Sequence, residues 1–123
     1  VKKRVLISVV DDDVSSRESL PGLLQTLGFT AVPFASAETF LASGVLADTQ
    51  CLILDVSMPG MSGPQLQSEL TRRGFTIPII FITANCDREL RADLLARGAV
   101  ECLFKPFNEQ DLCSALDRAL STA

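Results

Sequence analysis

The sequence predicts an α/β fold in which five parallel strands form one sheet with helices on both faces. Two patterns carry that expectation. Five short apolar runs of strand length alternate with segments whose leucines recur at helical spacing. The strand-like runs are mostly apolar, and the first, residues 5–10, has the look of a strand buried on both faces of a parallel sheet. At 123 residues, 47% hydrophobic and 21% charged, the chain has the size and composition of one folded domain, taken as residues 1–123.

Residues 5–10, Val-Leu-Ile-Ser-Val-Val, are largely β-branched and run into acids, which makes them the first strand. Leu20, Leu23, Leu24 and Leu27 then mark a helix, with Ser15 or Ser16 placed to cap it and Gly28 placed to stop it. Pro21-Gly22 lies inside that helix, where proline removes a backbone donor, so a kink is expected. Residues 30–34 read as the second strand. A short helix over about residues 37–42, carrying Phe40 and Leu41, precedes the break at Ser43-Gly44. Residues 51–54 form the third strand, and the turn-rich loop Met58-Pro-Gly-Met-Ser-Gly63 leads to a helix marked by Leu66 and Leu70 that ends near Gly74. Residues 79–82, after Pro78, are the fourth strand. Leu90, Leu94 and Leu95 share one face of a helix ended by Gly98, and residues 100–104 are the fifth strand. Leu112, Cys113, Leu116, Ala119 and Leu120 make the last helical stripe. There is no repeat, linker or low-complexity tract.

Composition excludes several functions. Eleven basic against fifteen acidic residues leave a net charge of −4, which opposes direct binding to a phosphate backbone. The longest apolar runs, roughly six residues, are far short of a membrane span. Lys2-Lys3-Arg4 before an apolar stretch has the look of a signal peptide, but Asp11-Asp12-Asp13 ends the stretch too early, so a soluble cytoplasmic chain is expected. Cys51, Cys86, Cys102 and Cys113 form no C-x-x-C pair and have no His to complete a zinc shell; they read as buried thiols in a reducing compartment.

The functional signal lies at the strand ends. Asp11-Asp12-Asp13 follow the first strand, Asp55 the third, Thr83 the fourth and Lys105 the fifth. Parallel strands bring these positions to one rim, where ligands of open α/β sheets bind. Carboxylates beside a hydroxyl and an ammonium group, in a chain without His, suit a hard cation such as Mg²⁺ (or Mn²⁺) and a phosphoryl group. Each position alone has a plainer reading: turn and cap chemistry for the Asp triplet, a solvated loop residue for Asp55, a strand residue for Thr83 and surface for Lys105. Their joint placement favours a site in which Asp55 is the nucleophile. Lys105-Pro106 also invites a cis peptide.

The motifs Asp11-Asp12, Leu54-Asp55-Val-Ser-Met-Pro-Gly-Met-Ser-Gly63, Thr83-Ala84 and Lys105-Pro106-Phe107 resemble those of receiver domains of two-component response regulators over nearly the whole chain. Ser36-Ala37-Glu38 and the Lys105-Pro106-Phe107 ending are most similar to the FixJ and NarL kind. The resemblance implies a flavodoxin-like (βα)5 fold with strand order 2-1-3-4-5. It implies that Asp55 takes a phosphoryl group from a sensor histidine kinase or phosphotransfer protein. Asp11, Asp12, Asp55 and the backbone carbonyl of Ser57 would hold Mg²⁺, and Thr83 and Lys105 would bind phosphoryl oxygens. Ser57 and Asn85 stand at positions that tune self-dephosphorylation. The family's output face, formed by the fourth helix, fifth strand and fifth helix, would switch on phosphorylation and allow a homodimer through the fourth helix and fifth strand. A DNA-binding effector would follow the receiver, so DNA would be reached only through that further domain. One departure concerns the switch: three residues before Lys105, where many receivers carry Tyr or Phe, this chain has Cys102.

Two rivals use the same architecture. A haloacid-dehalogenase-like phosphatase also has a strand-end Asp nucleophile with Mg²⁺, but wants a second Asp where this chain has Ser57. A flavin carrier wants a hydroxyl- and Gly-rich loop after the first strand, where this chain has acids, and it wants flat aromatic groups, whereas Trp and Tyr are absent. A receiver-shaped module that is never phosphorylated stands as a third reading, because Cys102 interrupts the usual relay.

Overall fold

A computed structural model of the chain describes residues 5–85 and 87–121; Lys2, Lys3, Arg4 and Cys86 lie outside the described residues. The strands are β1 (Leu6–Val10), β2 (Thr30–Phe34), β3 (Cys51–Asp55), β4 (Ile79–Thr83) and β5 (Glu101–Phe104). They form one sheet in the order β2-β1-β3-β4-β5, and every neighbouring pair is parallel. The helices are α1 (Val14–Thr26), α2 (Ala37–Leu41), α3 (Gly63–Arg72), α4 (Arg88–Ala96) and α5 (Glu109–Leu120). The expected doubly wound fold is therefore present, with a short 3₁₀ turn at Leu46–Asp48 that sequence patterning did not mark.

Strand alternation sorts the core into two layers. Ile7, Val9, Ile53, Ile80 and Ile82 pack with Leu20 and Leu24 of α1 and with Leu112 and Leu116 of α5. Val10, Leu52, Leu54 and Phe81 face the other way, against Phe40 of α2, Leu66 and Leu70 of α3 and Leu94 of α4. Both faces are covered, which is why the central strands read as continuous apolar runs. Ser8 is the polar exception in β1. Its hydroxyl lies 2.7 Å from that of Thr49, which donates its own hydrogen to the Val45 carbonyl, so Ser8 is the donor and its burial is compensated.

Each of α1 to α5 starts on a side-chain cap: Asp13, Ser36, Ser62, Asp87 and Asn108 in turn. The cap of α1 is Asp13, whose carboxylate accepts from Ser15 N–H at 3.2 Å, rather than Ser15 or Ser16 as the sequence had led us to expect. Helix α1 begins at Val14, so the residue in the cap position is Asp13. Pro21 is buried within α1, which continues through it to Thr26. At the other ends, α1, α3 and α4 close in Schellman turns, as when Phe29 N–H bonds to Leu24 C=O and Gly28 N–H to Gln25 C=O. The strand and helix edges predicted from sequence shift by a residue, with Val5 and Val100 falling outside β1 and β5. Of the described cysteines, Cys51 and Cys102 are buried as expected, whereas Cys113 is only half-buried on α5.

Phe40 is fully buried and meets Phe34 edge-on at 5.3 Å between ring centroids. Phe40→Ala should lower unfolding free energy by about 3–5 kcal/mol, through lost transfer energy and the cavity left behind. Urea titration monitored by far-UV circular dichroism checks this; a midpoint shift within error would contradict that packing role.

Candidate functional site

The sheet order sets β1, β3 and β4 side by side and lets their C-terminal ends share one rim. Asp11 follows β1 and is fully buried, and its N–H donates to Phe34 C=O at 3.1 Å, continuing the β1–β2 ladder. Asp55 is the last residue of β3, 7% exposed, and Thr83 the last of β4, 3% exposed. Lys105 follows β5, with its N–H donating to Thr83 C=O at 2.8 Å, and the Lys105-Pro106 peptide is cis, the isomer expected from sequence. Backbone pairing thus fixes where each functional side chain begins.

The side chains then converge. Lys105 Nζ donates to Asp11 Oδ2 at 2.8 Å, spanning the ends of the intervening strands, while Asp13 N–H donates to Asp11 Oδ1 at 2.9 Å. Oxygens of Asp11, Asp12 and Asp55 all lie within 4.8 Å of one another, with Asp12 exposed and the other two buried. Ser57 N–H donates to Asp55 Oδ1 at 3.3 Å. The Thr83 hydroxyl oxygen accepts from Asn85 N–H at 3.1 Å, which leaves its hydrogen available for an acceptor entering the rim. Ser57 and Asn85 themselves are exposed at the mouth. Gly63 closes the site from beneath: a methyl group there would overlap the Asp55 carbonyl oxygen and press on Phe81.

The two buried carboxylates are made unequal by their partners. Burial works against ionised Asp11, but hydrogen bonds from Lys105 and Asp13 N–H, with that of Asp55, hold its carboxyl below the usual range. Burial pushes Asp55 up to about 7, and the neighbouring Asp11 adds to the effect against the weaker pull of Lys105 and Ser57 N–H. Burial also disfavours charged Lys105, yet the Asp11 hydrogen bond outweighs it and raises the ammonium's pKa. Charge is therefore placed on Asp55 only at a cost, which a hard cation among the three carboxylate oxygens would offset. Such a donor set, all oxygen and open to water on the Asp12 side, fits Mg²⁺.

Cys102 lies in β5, 3% exposed, on the α4 side of the sheet, where burial pushes its thiol up to about 11 and keeps it neutral. Phe104, on the same side of β5, is half-buried against that core and stands opposite Thr83 in the β4–β5 register. Sequence reasoning missed Glu101, whose carboxylate accepts from Arg91 of α4 at 2.5 Å and Arg118 of α5 at 2.9 Å. A Glu within an apolar strand was the available signal, since such a group needs partners when buried.

Asp55 generates a pH signature. Because the folded chain keeps this proton to higher pH than the unfolded one, the group's contribution to metal-free stability falls as pH rises from 3.8 towards about 7 and levels off above. Urea titrations across that range should show Asp55→Asn gaining stability relative to the parent, with parallel curves contradicting the assignment.

Comparison with known proteins agrees with this geometry. Residues 7–117 match the family described as the response regulator receiver domain. Nodulation protein W of Bradyrhizobium diazoefficiens is 42% identical over 113 residues, covering 92% of this chain and 50% of that protein. Transcriptional regulatory protein TdiR of Thauera aromatica is 41% identical over 115 residues, covering 94% and 51%. The chain thus spans about half the length of the curated relatives it matches. Among solved structures, response regulator StyR superposes with a TM-score of 0.88 at 43% identity, covering 98% of this chain and 61% of that one. FixJ-N gives 0.87 at 32%, covering 99% and 98%. With the parallel sheet, the acidic rim and a family match over most of its length, the chain belongs to the response regulator receiver domains of two-component signalling systems.

Proposed function

We propose that Asp55 is the phosphoacceptor of a Mg²⁺-dependent signalling switch and that residues 1–123 act as a single receiver domain. The observation that carries this reading is the convergence of Lys105 on Asp11 at 2.8 Å with Asp55 and Asp12 in the same oxygen cluster. Asp11, Asp12 and Asp55, with the Ser57 carbonyl, would hold the cation, whose charge offsets the repulsion between carboxylates and an incoming phosphate. An Asp55 oxygen attacks phosphorus of a phosphohistidine on a sensor kinase or phosphotransfer protein; the new O–P bond forms as the P–N bond breaks, and the imidazole leaves with its electron pair. Lys105 is placed to swing its ammonium from Asp11 to a phosphoryl oxygen, and Thr83 to donate its unused hydrogen to another. Ser57 and Asn85, at the mouth, flank the path of the water that later hydrolyses the acyl phosphate and so tune that rate.

The output belongs to the same proposal. Moving a two-state equilibrium from 1:99 to 99:1 needs about 5.5 kcal/mol, and a hydrogen bond to a charged group contributes roughly 1.5–3 kcal/mol. Thr83 and Lys105 together come close to that sum, with Cys102 in place of an aromatic side chain and Phe104 beside Thr83. The α4–β5–α5 face would then respond less completely than with an aromatic at 102, and homodimerisation would use α4 and β5. The relatives' greater length, and the name transcriptional regulatory protein borne by TdiR, support a DNA-binding domain beyond this one as the effector, in a cytoplasmic transcription regulator. Among the described residues no helix is long and apolar enough to cross a membrane.

Incubation with Mg²⁺ and acetyl phosphate, followed by intact mass measurement, should give one labile phosphoryl adduct on the parent and none on Asp55→Asn. Excess EDTA should abolish it. Sustained phosphate release from small esters would instead favour the phosphatase reading. Amide exchange with and without beryllofluoride should differ on α4, β5 and the β4–α4 loop; an unchanged face would remove the proposed switch.

A further inference from the structure

Ser36-Ala37-Glu38 takes no part in the acceptor chemistry, yet Glu38 reaches the loop that follows Asp55. Ser36 caps α2 by accepting from Thr39 N–H at 3.1 Å, which fixes Glu38 in the first turn of that helix. From there Glu38 Oε2 accepts from Met61 N–H at 3.2 Å. The same oxygen lies against Gly60, where an added Cβ would come within 2.6 Å of it, and Gly60 adopts a φ of 73°. Only glycine accepts that backbone readily, and only a residue without a side chain lets the carboxylate rest on the 60–61 peptide.

At its β3 end the loop is tied to β4, where Val56 N–H donates to Ile82 C=O at 3.0 Å; further along, its described hydrogen bonds besides that of Glu38 are local. Gly63 N–H donates to Val56 C=O at 2.9 Å, Ser62 N–H to Gln65 Oε1 at 2.8 Å, and Ser57 N–H to Asp55 Oδ1 at 3.3 Å. Met58 and Met61 add apolar contact with the core beneath α2 and α3. Among the described residues, Glu38 is thus a polar anchor between the middle of this loop and a separate helix, and the loop's first residues hold the Asp55 carboxylate.

We propose that Glu38 is a positioning residue for phosphoryl transfer: by clasping the Gly60–Met61 peptide from α2, it holds the loop so that Ser57 keeps Asp55 in its reactive orientation. The role rests on the reading of Asp55 as acceptor. Glu38 touches neither phosphorus nor cation; it acts by restricting the motion of a loop whose displacement would misalign the nucleophile.

The test compares Glu38→Ala and Glu38→Gln with the parent in acetyl phosphate and Mg²⁺, reading adduct formation against donor concentration by mass and Met61 amide exchange by NMR. Glu38→Ala should lower the saturated rate on the order of fivefold, the scale of one modest hydrogen bond, with little change in the donor concentration for half-maximal rate. Met61 exchange should accelerate. Glu38→Gln, whose amide oxygen accepts the same N–H, should recover both. A parent that forms adduct while Glu38→Ala matches it, or while Glu38→Gln is as slow as Glu38→Ala, overturns the clasp alone. A parent that forms no adduct overturns the acceptor reading and the positioning role with it.

Discussion

The ion pair between Lys105 and fully buried Asp11 is the contact on which the rim depends. A carboxylate removed from water is expensive unless compensated, and here the compensation comes from residues 94 positions apart in the chain. It can form only if β1 and β5 sit in the same parallel sheet with their ends aligned. The pair also bears on its neighbour: Asp55, raised first by its own burial, is raised further by ionised Asp11 and so keeps its proton to higher pH, against a weaker opposing pull from Lys105. Asp55 is therefore coupled to the fold through charge as well as through backbone register.

A second layer of order lies in the turns rather than the strands. Caps fix where each helix begins, and the loop after β3 is closed by short hydrogen bonds and by Gly63 packing against the Asp55 carbonyl. Glu38 extends this logic across elements, because a helix start stabilised by Ser36 becomes the platform from which a neighbouring loop is held. On the far side of the sheet edge, Glu101 joins α4 and α5 through two arginines. Burial opposes its ionised form, yet Cys102 N–H, Arg118 and Arg91 outweigh that and hold its carboxyl below the usual range, so it stays charged. Ionic ties therefore brace both the site and the α4–β5–α5 face, where a wholly apolar surface would hold position less specifically.

The absence of an aromatic side chain at position 102 changes the inner surface of β5 without disturbing its packing. Cys102 is a small, neutral group facing the α4 side of the core, and Phe104 stands opposite Thr83 at the strand end. The aromatic ring nearest the rim on this side of β5 is therefore that of Phe104, packed against the same core.

Hydrophobic periodicity determined the number and order of the strands and α-helices, though not the 3₁₀ turn at Leu46–Asp48, because burial on both faces imposes apolar runs on parallel strands and a leucine stripe on helices that cover them. It also located Asp11, Asp12, Asp55, Thr83 and Lys105, since strand ends are legible wherever an apolar run meets a polar residue. Pairing was beyond its reach. That Asp13 rather than Ser15 caps α1, that Glu38 lies on the Gly60–Met61 peptide, and that Glu101 holds two arginines depend on distances between segments far apart in sequence. Local pattern reports what a residue needs from its surroundings. Only the packed chain decides which partner meets that need, because the choice is made by geometry among many groups of similar chemistry.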